Sequence, residues 1–201
     1  MSTNGRRVVV NTNISLDGYY HGPGGPQDMG FVMPYALTEV ARDHLTGLWK
    51  PATTALLGRT NAEGFMGWWP PVADQADADP RDRGYGAWMR DTEKVVLSST
   101  LTEAPWPNTR IFNEPAGSVV DRLKTEEGGD IVVFSSASVI KALLAADRVD
   151  RLSFMIFPEI LGGGARLFEA GLPATKWGLA DSVTGEYGVV SLAYDRLRAA
   201  S

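Results

Sequence analysis

Apolar positions along this chain fall into short unbroken runs, separated by stretches with helical periodicity. Val8, Val9 and Val10 open a first run over residues 6–14, which leads into a turn at Asp17-Gly18. Further runs occur at TTALL (53–57), KVVL (94–97), VVF (132–134) and RLSFMIF (151–157), with a short one over 110–113. Runs of this length without alternation fit strands buried on both faces. Between them, residues 34–49 repeat apolar side chains at Leu37, Val40, Ala41, Leu45 and Leu48, which predicts a helix stopped by Pro51. A second helix is predicted over 118–127 and a third by Ile140, Leu143 and Leu144. Residues 66–90, MGWWPPVADQADADPRDRGYGAWMR, are rich in Pro, Asp and Trp and predict a long loop, with a short helix only near Trp88. A terminal pair of strands, 176–183 and 187–196, is joined near Thr184-Gly185. The pattern predicts an α/β three-layer fold: a mixed, mostly parallel twisted sheet flanked by helices, with a C-terminal antiparallel hairpin. No repeat or linker interrupts it, so residues 1–201 read as a single domain.

Three strand ends open onto small or basic residues: LLGRT at 56–60, VLSST at 96–100 and FSSAS at 134–138. In an open α/β sheet, ligands collect outside the carboxyl ends of the strands, so the three junctions can face one elongated ligand. Ser135, Ser136, Ala137 and Ser138 stand where a helix begins. Small residues there let a ligand approach the backbone, and the first helical amides and the helix dipole favour an anion such as a pyrophosphate. Arg59 offers a guanidinium, while Ser98, Ser99 and Thr100 offer hydroxyl donors; together they suit a phosphomonoester such as the 2′-phosphate of an NADP-type cofactor. The plainer alternatives are a serine-capped helix after a buried strand, a helix start at Gly58-Arg59-Thr60 and a serine turn.

Composition narrows the chemistry. The chain has no cysteine, which removes disulfides and thiolate catalysis, and only His21 and His44 as histidines, without helical spacing between them, so no metal site is expected. A net charge of −5 argues against nucleic acid or an anionic membrane surface as partner. No signal peptide and no apolar run of membrane-spanning length is visible, and the expected location is cytoplasmic. A small soluble ligand remains.

In order along the chain, SLDGYY, LLGRT, KVVLSSTL, FSSASVI, VDRLSFMIFP and ILGGGARLF resemble the dihydrofolate reductase superfamily. Within it, the chain is most similar to bacterial proteins related to the reductase domain of riboflavin biosynthesis. The resemblance covers nearly the whole sequence. It implies a dihydrofolate reductase-like fold, a homodimer, and an NADPH-dependent reductase that transfers hydride to a small planar heterocycle of pteridine or pyrimidine type. It implies that Gly58, Arg59 and Thr60 with Ser98 and Ser99 meet the adenosine 2′-phosphate and neighbouring phosphate, that Ser135, Ser136, Ala137 and Ser138 cradle the pyrophosphate, and that Asn13 and Tyr20 flank the nicotinamide. Asp17 and Tyr20 are the catalytic candidates for supplying a proton, with His21 or a water as alternatives. Asp17 also reads as a turn aspartate.

Several positions depart from the family pattern. Serine and alanine replace glycines in the pyrophosphate turn. Asn11 stands where the riboflavin reductases carry a lysine, and Phe134 where they carry a glutamate, which argues against a phosphorylated ribitylamino pyrimidine as substrate. Glu39 and Asp43 are near the place of the acid of true dihydrofolate reductases, but neither aligns with it. Gly162–Gly164 lacks a following helix, so GGG predicts a flexible loop beside the pocket rather than a nucleotide fingerprint. Trp68, Trp69 and Trp88 suggest a lid over a planar ring or a packing surface. Two further readings compete: a nucleotide-binding relative without catalysis, and an interaction protein that assembles through residues 66–90.

Overall fold

The computed structural model describes residues 5–198. Its strands are β1 (Val8–Ser15), β2 (Tyr19–His21), β3 (Ala52–Gly58), β4 (Glu93–Leu97), β5 (Thr109–Phe112), β6 (Asp130–Phe134), β7 (Arg151–Phe157), β8 (Ala165–Arg166), β9 (Trp177–Thr184) and β10 (Val190–Arg196). Eight of them form one sheet in the order β5-β4-β3-β6-β1-β7-β10-β9, and β2 pairs with β8 separately. From β5 to β7 every neighbouring pair is parallel, while β10 runs antiparallel to both β7 and β9. This is the predicted mixed sheet with a C-terminal hairpin.

The valine run at the start of β1 is explained by its central place. Val8 and Val10 face a core shared with α4 (Ala116–Leu123) and α5 (Ala137–Ala145), and Val9 faces the opposite core, beneath α1 (Glu39–Trp49), α2 (Arg59–Val72) and α3 (Pro80–Asp91). Successive side chains of a strand point to opposite faces, so a strand covered on both sides carries no polar alternation. Among the described residues, no helix is long and apolar enough to cross a membrane.

Three local expectations need correction. The first helix begins at Glu39 rather than at residue 34, because the Thr38 side chain accepts a hydrogen bond from the Ala41 amide and so caps it. Residues 66–90 are mostly helical: α2 runs to Val72, and α3 starts behind Asp79, whose carboxylate accepts from the Arg81 amide, with Pro80 in the first turn. Tertiary packing holds both helices. A Cβ on Gly86 would lie 2.5 Å from the Trp69 carbonyl and 2.9 Å from the Ala73 nitrogen, so α2 and α3 meet backbone to backbone. Around that contact, Trp69 packs edge-on to Tyr85 at 4.6 Å between ring centroids, and Tyr85 and Trp88 pack against Phe134. Third, the GGG segment is pinned. A side chain at Gly164 (φ +119°) would collide with the His21 carbonyl, since this segment leads into β8 against β2.

Candidate active site

The carboxyl ends of β3 and β6 each turn straight into a helix, and the two turns are tied together. The Ser136 hydroxyl accepts a hydrogen bond from the Gly58 amide at 3.1 Å and donates to the Phe134 carbonyl at 3.1 Å. Ser135 adopts a left-handed conformation (φ +48°), unusual for a residue with a side chain, while its amide still donates to the Asn11 carbonyl of β1. The bend lets α5 begin beside α2. Neither helix has a side-chain cap at its start, in contrast with α1 and α3. Their first amides and the positive ends of their dipoles are therefore open to an anion.

Two adjoining cavities lie over these helix starts. The larger, about 630 Å³, is lined by Thr12 and Asn13 of β1, Tyr20, a loop wall of Pro26, Gln27 and Met29, the α2 face from Thr60 to Trp69, and Ser135, Ala137 and Ser138. The smaller, about 290 Å³, shares Thr60, Asn61 and Ser138 and continues over Gly58, Arg59, Leu97 and Ala116. Together they form the elongated cleft that the strand-end pattern predicted.

The larger cavity holds no charge: among the described residues, none lining it is Asp, Glu, Lys, Arg or His. The cation sits in the smaller one. The Arg59 Nη1 donates to Thr100 Oγ1 at 2.8 Å and its Nε to Glu63 at 2.8 Å, and half of the side chain is exposed.

Asn13, Tyr20, Gly58, Arg59, Thr60, Ser135, Ala137 and Ser138 thus all reach the cleft. Ser136 is buried and supports the turn from behind. Ser98 and Ser99 line neither cavity; the Ser98 hydroxyl accepts from the Thr100 and Leu101 amides and shapes the turn that carries Thr100 to Arg59.

Asp17 is corrected from proton donor to clamp. Its carboxylate accepts from the Ser15 hydroxyl at 2.6 Å and from the Leu161 and Gly162 amides, and it lies outside both cavities. The Ser15 bond first, then the backbone donors, hold its pKa down to about 2, so at neutral pH it has no proton to give. His21 is buried with Nδ1 2.8 Å from the Gly22 carbonyl and does not line the cleft. Glu39 and Asp43 both pair with Arg81. Trp68 and Trp69 line the larger cavity, whereas Trp88 belongs to the core and donates to the Ala52 carbonyl. Gln27, Met29, Asn61 and Phe65 had no distinguishing pattern in the sequence; only Asn61, directly after GRT, was adjacent to one.

Another cavity, about 310 Å³, lies beside α1 over β1, β7, β10 and β9, lined by Arg7, Asp43, His44, Asp130, Arg151, Ser153, Asp181 and Ser191 among others. Here most of the charged groups are paired, and among the described residues only Ser153 and Asp181 of those named have no side-chain partner. Arg7 pairs with Asp130 and Arg151 with Asp195. His44 bridges Ser191 Oγ at 2.6 Å and Asn11 Oδ1 at 2.9 Å. With the Asn11 oxygen accepting, Nε2 holds the proton and Nδ1 accepts from Ser191. Burial pushes the pKa of His44 down to about 4, in keeping with this neutral ring.

The curated protein YyaP of Bacillus subtilis (strain 168), itself uncharacterised, is 26% identical over 190 residues, 94% of either chain. Among solved structures, a protein of Shewanella sp. PV-4 provisionally assigned to riboflavin biosynthesis superposes with a TM-score of 0.74 at 19% identity, covering 96% of this chain and 99% of that one. The dihydrofolate reductase of Enterococcus faecalis, solved with NADP(H) and RAB-propyl, superposes with a TM-score of 0.56 at 17% identity, covering 96% and 97%. These likenesses show a dihydrofolate reductase-like fold. The model of the RibD C-terminal domain matches residues 6–191, and this chain belongs to that family.

Proposed function

We propose that this protein is an NADPH-dependent reductase of a small planar heterocycle of pteridine or pyrimidine type. The observation that carries this reading is the pair of uncapped helix starts of α2 and α5, tied by the Ser136 hydroxyl, that open with Arg59 onto one cleft. Such a cleft suits a dinucleotide. Open amides at Ala137 and Ser138 fit a pyrophosphate, and Arg59 with Thr100 fits a phosphomonoester further along. The Arg59–Glu63 pair is exposed and worth little by itself, so a phosphate can take the guanidinium from Glu63 at low cost.

NADPH supplies the hydride that such a reduction needs. The protein's part is to hold donor and acceptor together in a cavity walled by Phe65, Trp68 and Trp69, which limits water. Hydride added to the carbon of a C=N bond leaves a nitrogen that takes one proton, and the Tyr20 hydroxyl or a water beside it gives that proton. The lack of a carboxylic acid in the cavity favours one second reading, a relative that binds the nucleotide without turning over. Tight NADPH binding with no oxidation by any heterocycle would establish it.

Titration of the protein with NADPH and NADH, followed by nicotinamide fluorescence, tests the first reading. NADPH is expected to bind more tightly, and Arg59→Ala to remove about 2 kcal/mol of that advantage, roughly thirtyfold in Kd, with NADH unaffected. Binding of neither nucleotide would overturn it.

A further inference from the structure

We infer that the ring-binding half of the cleft takes a heterocycle bearing no carboxylate or phosphate, one face against Trp68 and its lactam edge read by neutral amides. This rests on the reductase reading of the cleft and narrows its substrate.

Three observations carry it. First, the 630 Å³ cavity has no charged lining residue among the described residues. The cation of the adjoining cavity, Arg59, is given by the reductase reading to the cofactor's phosphomonoester. Second, the cavity is polar without being self-satisfied. Among the described residues, Thr12, Asn13, Gln27, Thr60 and Asn61 line it with no side-chain hydrogen bond to another part of the protein. Each carboxamide offers a donor and an acceptor side by side, the complement of a ring edge with adjacent C=O and N–H. Third, Trp68 is 67% exposed at the rim, presenting a broad apolar face to solvent that a planar ring would cover.

Away from the α2 and α5 starts, which the reductase reading gives to the cofactor, an anionic substituent fixed on the ring would lose hydration without meeting a cation. A neutral lactam loses nothing comparable, since each of its polar atoms finds a partner. Discrimination by unpaired polar groups is steep, whereas discrimination by shape alone is shallow.

Matched pairs of ligands test the inference: pterin against pterin-6-carboxylate, and uracil against orotate, each titrated calorimetrically into protein saturated with NADP⁺. In at least one pair, the neutral member is expected to bind at least about tenfold more tightly than its carboxylate. Equal or tighter binding of the carboxylates, or no binding of either neutral ring up to about 1 mM, overturns the inference. The NADP⁺ saturation step is read separately. If NADP⁺ does not bind, the reductase reading fails on its own account, and the same pairs are compared on the protein alone.

Two variants probe the wall. Gln27→Lys lies on a loop, outside every strand and helix of the sheet, and brings a cation to the cavity; it is expected to erase or reverse the preference for the neutral ring. An unchanged preference would remove the amides of this wall from the recognition. Trp68→Ala is expected to weaken the neutral ring several-fold and leave NADP⁺ affinity intact. A parallel loss of NADP⁺ affinity would place the indole against the nucleotide instead.

Discussion

The cleft at the carboxyl ends of the strands and the cavity beside α1 are both lined by polar side chains, yet they differ in how those side chains are partnered. Beside α1, arginines meet aspartates and His44 is bound on both ring nitrogens. Over α2 and α5, two helix starts lack side-chain caps and a row of neutral polar side chains has no side-chain hydrogen bond, among the described residues. Polarity alone therefore does not mark a ligand site. Unspent hydrogen-bonding capacity does, because folding stability gains nothing from it and a ligand can.

This contrast can be broken by mutation, since changes beside α1 should alter stability and changes in the cleft should alter binding. The largest effect is expected from His44→Ala, which leaves Asn11 and Ser191 without their partner and opens a void: about 3 kcal/mol lost in urea unfolding, with NADPH affinity unchanged. Arg59→Ala should do the reverse, losing the thirtyfold described above while the unfolding midpoint stays put.

Titration sharpens the same point. An unfolded histidine protonates near 6.5 and folded His44 near 4, so the unfolded chain takes up the proton first as pH falls. Its contribution is thus whole above pH 6.5 and lost towards pH 4, on the order of 2 kcal/mol after allowing for the side chain's contact with the cavity. Wild type should show this slope in stability against pH, and His44→Gln should flatten it. The smallest effect belongs to Asp17→Asn. Because Asp17 serves as a clamp, the rate of reduction should fall by less than about threefold. A loss of several orders of magnitude would restore it to the chemistry.

Much of this architecture was legible from local pattern. Unbroken valines at 8–10 announced a strand covered on both faces, and the small or basic residues after β3 and β6 announced the cleft, because strand-to-helix junctions draw on a narrow set of residue types. The extent of helices α2 and α3 was hidden for a physical reason. Pro70, Pro71 and the aspartates that follow them are local breakers, and the helices are stabilised by distant contacts, Trp69 on Tyr85 and Tyr85 on Phe134. The far wall of the cleft was hidden likewise. Gln27 and Met29 come from a glycine and proline loop without periodicity, and Phe65 and Trp68 from a helix whose start at Gly58-Arg59-Thr60 was visible but whose length was not. Asp17 was visible as a turn residue, but its bonds to Leu161 and Gly162 join segments far apart in the chain.

The position of β1 also bears on how the molecule assembles. It precedes the other strands of this sheet in the sequence, and its two neighbours, β6 and β7, come more than a hundred residues later. Loop closure over such separations is slow relative to local pairing. During synthesis the three valines at the start of β1 thus wait, unpaired and sticky, until residues 130–157 have emerged. Asn13 and Ser135, from opposite sides of that interval, come to line one cavity only then, so the cleft itself is a late product of folding.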